Sequence, residues 1–407
     1  MKDQLFIFLS AGFRAIAVSF SGVILGMYLS SLQFGPALMG LAISLGLAGC
    51  AAGTLFVTLI GNRIQRRTML FVITFLMACG GLCLIYVHET RMIFAAFFFG
   101  MVNGMGRDRG ASQAIEQAML PQTTFDEHRT KIFAWYNVVV DSGHAIGALL
   151  GGLPAFLRSG WGFSLVSSYQ AAWIFYSSLC LISGLIVMQI SKGVELKRKI
   201  TTHKLSAASR PLVMKFAFLS GLDSLGGGFL TTAIVSYWFF KRFGVDEAFL
   251  GPLFFFVRIA NGISHLGAAW LAKRIGLVNT MVFTHLPSSF LLMTVPFAPN
   301  LAVAVLLFLI RELLVEMDVP TRQSYLVAIV KEEERTKAAG IVTLTRNVAW
   351  AIAPATAGSF MGMIGLSMPL IFGPGLKIVY DILLYQSFRH IKPPEEKDKN
   401  RSRIQDS

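Results

Sequence analysis

Twelve long apolar runs follow one another along this 407-residue chain, and they constrain its fold more than any other feature. They lie near residues 5–30, 37–60, 68–88, 92–120, 131–156, 169–190, 211–240, 248–271, 278–297, 300–330, 336–361 and 366–388. A helix needs about 20 mostly apolar residues to cross the hydrocarbon core of a bilayer. The expected fold is therefore an all-α polytopic membrane protein with twelve transmembrane helices. Composition agrees: 54% of the residues are hydrophobic and 14% are charged, against about 25% charged in a soluble domain. The run from Leu5 to about Ser30 exceeds the 7–15-residue core of a signal peptide, so it reads as a retained first span.

A net charge of +14 invites a nucleic-acid partner, but most of the basic residues sit in short connections between the apolar runs. No nucleic acid is expected; the partner is the lipid bilayer. With the N-terminus inside, the inner connections hold 24 Lys and Arg, and the outer ones hold only Arg91, Arg158, Lys241 and Arg242. That asymmetry obeys the positive-inside rule, places both termini in the cytoplasm and fits an even number of spans. The longest inner connection, 191–210, is polar and basic and separates a six-span half, 1–190, from a second, 211–391. The tail 392–407 opens on Pro393-Pro394, is densely charged and reads as disordered. Cys50, Cys79, Cys83 and Cys180 all lie in apolar segments, with no ligand set around them for a metal.

The two halves repeat each other. Gly12-Phe13-Arg14 and Gly221-Leu222-Asp223 are 209 residues apart, as are Phe34-Gly35 and Phe243-Gly244. Asp108 and Gln113 recur as Asp318 and Gln323, offset by 210, and Arg129-Thr130-Lys131 recurs as Arg335-Thr336-Lys337. Two halves with six spans each share one membrane orientation, so they are parallel repeats related by an axis along the membrane normal.

The loop Gly61-Asn62-Arg63-Ile64-Gln65-Arg66-Arg67 resembles the signature Gly-x-x-x-Asp-Arg-x-Gly-Arg-Arg of the major facilitator superfamily, with Asn62 where Asp is usual. In span five, Gly143, Gly147, Gly151 and Gly152 resemble the glycine motif of that family's antiporting exporters. Ala148 takes the place of its proline, and Pro354 stands at the repeat-related position in span eleven. Small residues four apart let helices approach closely and slide. The resemblance implies two pseudo-symmetric six-helix bundles, a gating and helix-packing role for these residues, and a central cavity lined by spans one, four, seven and ten. It also implies secondary transport of a small-molecule substrate, with export by proton antiport ahead of uptake by proton symport. A siderophore-like chelate is among the candidate solutes, and a transporter-derived sensor is the alternative of another class. The expected setting is a bacterial inner (plasma) membrane, with the chain a monomer and without a cofactor.

Eight cationic and eight acidic residues lie inside the spans: Arg14, Arg107, Arg109, Arg258, Arg311, Arg322, Arg346 and Lys377 against Asp108, Glu116, Asp141, Asp223, Glu312, Glu316, Asp318 and Asp381. An ionised residue at the helix centre costs at least about 2.5–3.5 kcal/mol, so each needs a partner, water or a function. Equal numbers of each sign point to mutual neutralisation. Lys377 with Asp381, and Asp318 with Arg322, have the four-residue spacing of an ion pair along one helix face. Arg14, Arg107, Asp108, Arg109, Asp223, Arg311, Glu312 and Glu316 fall where the resemblance places the cavity, and they are the candidates for substrate or proton binding. Arg107, Asp108 and Arg109 point about 100° apart on a helix, so one of them should face a neighbouring helix, with Asp141 in span five as its partner. Glu312 and Glu316 should share one face. His144 and His265 read first as hydrogen-bonded packing residues. No Gly-x-Ser-x-Gly, His-Glu-x-x-His or Walker loop is present, so no enzyme is expected.

Overall fold

The computed structural model describes residues 2–60, 64–87, 89–108, 110–124, 129–191, 205–207, 209–331 and 334–391. Among these the secondary structure is helical throughout, with no strand. The α-helices are α1 Lys2–Ser31, α2 Pro36–Ile60, α3 Arg66–Tyr86, α4 Thr90–Phe99, α5 Ala111–Met119, α6 Arg129–Leu150, α7 Leu153–Trp161 and α8 Leu165–Val187. After the connection come α9 Ser209–Gly228, α10 Thr232–Phe243, α11 Glu247–Ile275, α12 Leu277–Thr294, α13 Leu301–Val315, α14 Asp318–Ile329, α15 Arg335–Met363 and α16 Pro369–Phe388.

Eight stretches among the described residues are long and apolar enough to cross a membrane. They match expected spans one, two, three, five, six, seven, eight and nine. The other four expected spans are the pairs α4–α5 and α13–α14 and the more polar helices α15 and α16. The principal departure from expectation is that spans four, five, seven and ten are not single helices.

Each break has a local cause. In span four, residues 100–110 include Gly100, Gly104, Gly106 and Gly110, and Gly106 adopts a left-handed φ of 65°. Glycine favours that region and weakens a helix interior. In span five, Gly151-Gly152 and Pro154 separate α6 from α7. In span seven, Gly226-Gly227-Gly228 ends α9, and Thr231 caps α10 by accepting the Ile234 N–H at 3.3 Å. In span ten, Pro320 cannot donate to the carbonyl of Glu316 and its ring displaces that carbonyl, so the helix stops and restarts at Asp318. An aspartate in a first turn favours the new N-terminus.

The chain forms two compact units. One comprises Met1–Arg198, Leu230–Arg258 and Ala351–Leu366; the other comprises Lys199–Phe229, Ile259–Trp350 and Ser367–Ser407. In the first unit α1 is buried on nearly every side, packing on α6, α8 and α10. Gly143, Gly147 and Gly151 lie against Gly12, Ile16 and Val23 of α1, so the four-residue glycine spacing has a packing counterpart. Pro354 and Gly358 lie against Gly40 and Pro36 of α2. In the second unit the core is built from Phe216, Met281, Tyr325, Tyr380, Leu384 and Phe388, on α9, α12, α14 and α16. Near its start, Glu334 accepts the Ser206 N–H at 2.7 Å. Hydrogen bonds from Ser209 and Ser206 hold the Glu334 carboxyl below its ordinary range.

The irregular stretch in span four lies against the backbones of α2 and α3. A Cβ at Gly46 would meet the Val102 carbonyl, and one at Gly49 would meet the Phe98 carbonyl. Gly46→Val should therefore destabilise the protein by about 1–3 kcal/mol. Gly35→Ala, with open space around its Cβ, should change stability by less than about 0.5 kcal/mol. Denaturation midpoints in detergent check both.

Candidate functional site

Non-helical backbone at membrane depth must find partners or line a water-filled space. In the first unit the span-four break finds protein partners at almost every step. The Cys50 thiol donates to the Met101 carbonyl at 3.6 Å, and the Met105 N–H donates to the Asn103 side-chain oxygen at 3.1 Å. The Gly104 carbonyl accepts the Ala233 N–H at 2.9 Å, and the Met105 carbonyl accepts the Thr232 hydroxyl at 2.9 Å. Arg258 Nη2 donates to the Gly106 carbonyl at 2.8 Å. Thus the broken stretch of span four docks on the first turn of α10, which follows the break in span seven.

Arg14 is the centre of this unit. It is 1% exposed. Its Nε donates to Asp108 Oδ2 at 2.6 Å, while Nη1 and Nη2 grip the two oxygens of Glu116 at 2.7 and 2.6 Å. The fork matches a carboxylate plane, which makes this pairing strong and directional. Tyr136 on α6 donates its hydroxyl to Glu116 Oε2 at 2.8 Å. The Asp108 N–H donates to His144 Nε2 at 3.2 Å. So the α6 residue meeting this stretch at Asp108 is His144. Asp141, the expected partner, has a side chain 68% exposed, with Oδ1 4.0 Å from His144 Nδ1. Residues 101–108 are not helical, so Arg107 and Asp108 do not follow helical periodicity. Arg107 is partly buried beside them. Arg109, Asn62 and Arg63 lie outside the described residues.

A second carboxylate in this unit is clamped in the same way. Glu247, at the start of α11, accepts from Arg158 Nη2 at 2.5 Å and from the Tyr169 hydroxyl. In the signature loop, Arg66 Nη1 donates to the Ala118 carbonyl at 2.9 Å, holding the last turn of α5. Arg67 donates to Gln65 at 3.3 Å and to the Ile190 carbonyl at 3.4 Å.

In the second unit the repeat-related position carries the opposite charge. Asp223 on α9 accepts from Arg322 Nη1 at 2.8 Å, Arg346 Nη1 at 3.4 Å and Lys377 Nζ at 2.9 Å. Arg322 also bonds Asp318 at 2.6 Å, so the expected four-residue pair is formed. Tyr380 donates to the other Asp318 oxygen at 3.4 Å. The expected Lys377–Asp381 pair is not the arrangement seen. Lys377 turns to Asp223 and to His285 Nε2 at 3.2 Å, while Asp381 receives His285 Nδ1 at 2.9 Å. His285 of α12 packs against α16 and bridges the two residues.

Glu312 and Glu316 both meet α11, at residues four apart on it. Glu312 pairs with Arg311 and accepts Asn261 Nδ2 at 2.7 Å. Glu316 falls at the C-cap of α13, with Oε2 3.7 Å from His265 Nε2. Proximity in sequence gave no sign that His285, Tyr136, Tyr380 or Arg346 would join these clusters. A polar residue in an apolar run was the available signal for His285 and Arg346.

The Major Facilitator Superfamily profile matches residues 7–315 and 216–405. The chain belongs to the major facilitator superfamily. It is 24% identical to an uncharacterized membrane protein of Saccharomyces cerevisiae, YJR124C, over 98% of this chain and 97% of that protein. Its fold is similar to that of a mutant of the nucleoside transporter NupG, at TM-score 0.76 and 12% identity, covering 95% of this chain and 100% of that one. A D-xylose-proton symporter gives 0.74 at 14% identity, covering 94% and 96%. A bacterial homologue of the human lysosomal transporter Spinster gives 0.70 at 14%, covering 94% and 93%. This superfamily member is an integral multi-pass membrane protein, and family and fold support secondary transport of a small solute rather than an enzyme's reaction.

Removing one partner from a buried ion pair strands the other charge, at about 3–5 kcal/mol. Glu116→Leu should lower stability by about that much. Adding Arg14→Met should recover most of it, because Asp108 lies nearer the solvent, with a side chain 11% exposed. A double-mutant cycle on detergent unfolding midpoints measures the recovery.

Proposed function

We propose that this chain is a secondary active transporter that moves a small polar or amphipathic solute by alternating access, coupled to protons in the export direction. The observation that carries the proposal is that each unit buries its span-one or span-seven charge, Arg14 or Asp223, among ionised groups beside a helix break. Discontinuous helices supply binding groups in several transporter folds. A buried carboxylate–cation pair can take and release a proton when its contacts change. The balanced signs in both clusters favour a polar or zwitterionic solute over a lipophilic cation. Arg14, Asp108 and Asp223, with Arg107, Arg109, Arg311, Glu312 and Glu316, are proposed to bind substrate or proton. Asn62, Arg63, Arg66, Arg67, the span-five glycines, Asp318, Arg322 and Pro354 are proposed to serve gating and packing.

Export rests on the glycine ladder of α6 against α1, which suits sliding of the two helices. Residues 1–190 and 211–391 are proposed as the two six-helix halves, joined by 191–210. Both termini are proposed to lie on the cytoplasmic side of an inner or plasma membrane. Uptake by proton symport is the second reading, favoured by the likeness to a D-xylose-proton symporter.

Proteoliposomes loaded with a pH-sensitive dye, challenged with a panel of zwitterionic and polar solutes under an imposed pH gradient, test the proposal. Solute and proton should move in opposite directions. Co-movement would replace export with symport, and no gradient-driven flux with any solute would favour a sensor. Arg14→Ala and Asp223→Asn should each cut flux at least about tenfold, or about 1.4 kcal/mol of barrier, per molecule of folded protein in the vesicles. Wild-type flux in both would sink the assignment of these residues.

A further inference from the structure

The cluster in the second unit contains one group that the ion pairs do not need. Without His285, the carboxylates Asp223, Asp318 and Asp381 are already matched in number by Arg322, Arg346 and Lys377. His285 is nevertheless 1% exposed, and both of its ring nitrogens are engaged. Nδ1 lies 2.9 and 3.0 Å from the two oxygens of Asp381. Nε2 lies 3.2 Å from Lys377 Nζ and 3.8 Å from Asp223 Oδ1.

These contacts fix the tautomer. A carboxylate accepts only, so Nδ1 carries the hydrogen and donates to Asp381. An ammonium donates only, so Nε2 presents its lone pair to Lys377. The imidazole in this arrangement is neutral, with a basic nitrogen whose only donor among the described residues is a lysine already bound to Asp223 at 2.9 Å. We infer that His285, seated between Asp381 and Lys377, is a proton-binding site within the second unit, and that loading it exchanges the Lys377 contact for one to Asp223. The inference rests on the proposed proton coupling for its purpose, and it gives that coupling an atom.

The proton bonds to Nε2, and no other bond forms or breaks. The ring becomes an imidazolium with two donors. Nε2 can no longer accept from Lys377, and the two cations repel. The new N–H has an acceptor in Asp223 Oδ1, and Nδ1–H keeps Asp381, so the loaded ring is flanked by two carboxylates. Lys377 must leave the ring, and the ion pairs of Asp223 with Arg322 and Arg346 rearrange with it. A proton on one ring thereby acts on α9, α14, α15 and α16.

The charged and titratable groups that the neighbouring elements bring to this ring are Asp223 from α9, and Lys377, Tyr380 and Asp381 from α16. Asp318 and Arg322 from α14 and Arg346 from α15 act through Asp223 and Tyr380. On α13, Arg311 and Glu312 pair with each other. A proton also has polar groups to follow. Ser288 and Ser289, three and four residues after His285, share its face of α12. Their buried hydroxyls, with that of Ser220 on α9, have no hydrogen-bond partner among the described residues. Buried hydroxyls require partners, and waters supply them where protein does not.

The test is 15N-histidine NMR of the full chain in lipid nanodiscs, with no solute and no gradient. The chain has seven histidines, and the signal missing from His285→Gln is that of His285. Across the titration it should pass from singly protonated, on Nδ1, to doubly protonated as the pH falls. Asp381→Asn should abolish double protonation over the same titration. Lys377→Met should preserve it to a higher pH than wild type, and this variant decides the matter if Asp381→Asn does not fold. The inference is overturned if His285 stays singly protonated throughout, if the neutral ring carries its hydrogen on Nε2, or if the variants leave its titration unchanged. Because the measurement needs no transport, it separates the two readings. Vesicles that move solute without protons, beside a titrating His285, would overturn proton coupling and leave the site. A static His285 overturns the site whatever the flux.

Discussion

The cost of holding an ionised group where water cannot reach it organises the interior of this protein. Arg14 is the clearest case. Its guanidinium is surrounded by α-helices, so its compensation must come from the protein. Asp108 and Glu116 supply it from two sides, with Tyr136 completing the hydrogen bonds of Glu116. One side chain therefore ties α1 to the span-four break, to α5 and, through Tyr136, to α6. The same rule applies to Asp223 with its sign reversed, since three cations from α14, α15 and α16 converge on it. The repeat preserved the position of a buried charge while exchanging which partner type surrounds it.

The helix breaks follow from that arrangement. A continuous helix would keep Asp108 and Glu116 on faces set by 100° steps, and both could not reach one guanidinium from the directions seen. Unwinding residues 100–108 frees Asp108 to approach Arg14 Nε while Glu116 grips the opposite end. The freed backbone would be costly in lipid, and it is satisfied by Ala233, Thr232, Arg258, Cys50 and His144. Glycines at 46, 49 and 80 let the neighbouring helices come close enough to cover it. Irregular backbone and buried charge are two aspects of one arrangement.

Much of this was legible in the sequence, and the reasons differ by feature. Apolar run length announced the spans, and a near-constant offset announced the repeat. The clustered glycines of span four and Pro320 in span ten were signals for breaks, but hydropathy averages over a whole run and hides the interruption between α4 and α5. Asp318 and Arg322 paired as their spacing requires, because both lie within one helix. Lys377 and Asp381 also share a helix, yet each found a partner on another element in His285.

By itself, the sequence determined that this chain is a membrane protein of the superfamily and where its charges fall along each span. It could do so because hydrophobic length acts locally, whereas the helix breaks became visible only in the structure. Only the tertiary structure decided which charge meets which. Ion pairing at depth depends on distances of a few ångströms between side chains about a hundred residues apart, such as Arg14 with Glu116 or Asp223 with Lys377. Those distances are set by how helices pack, and no spacing along the chain encodes them.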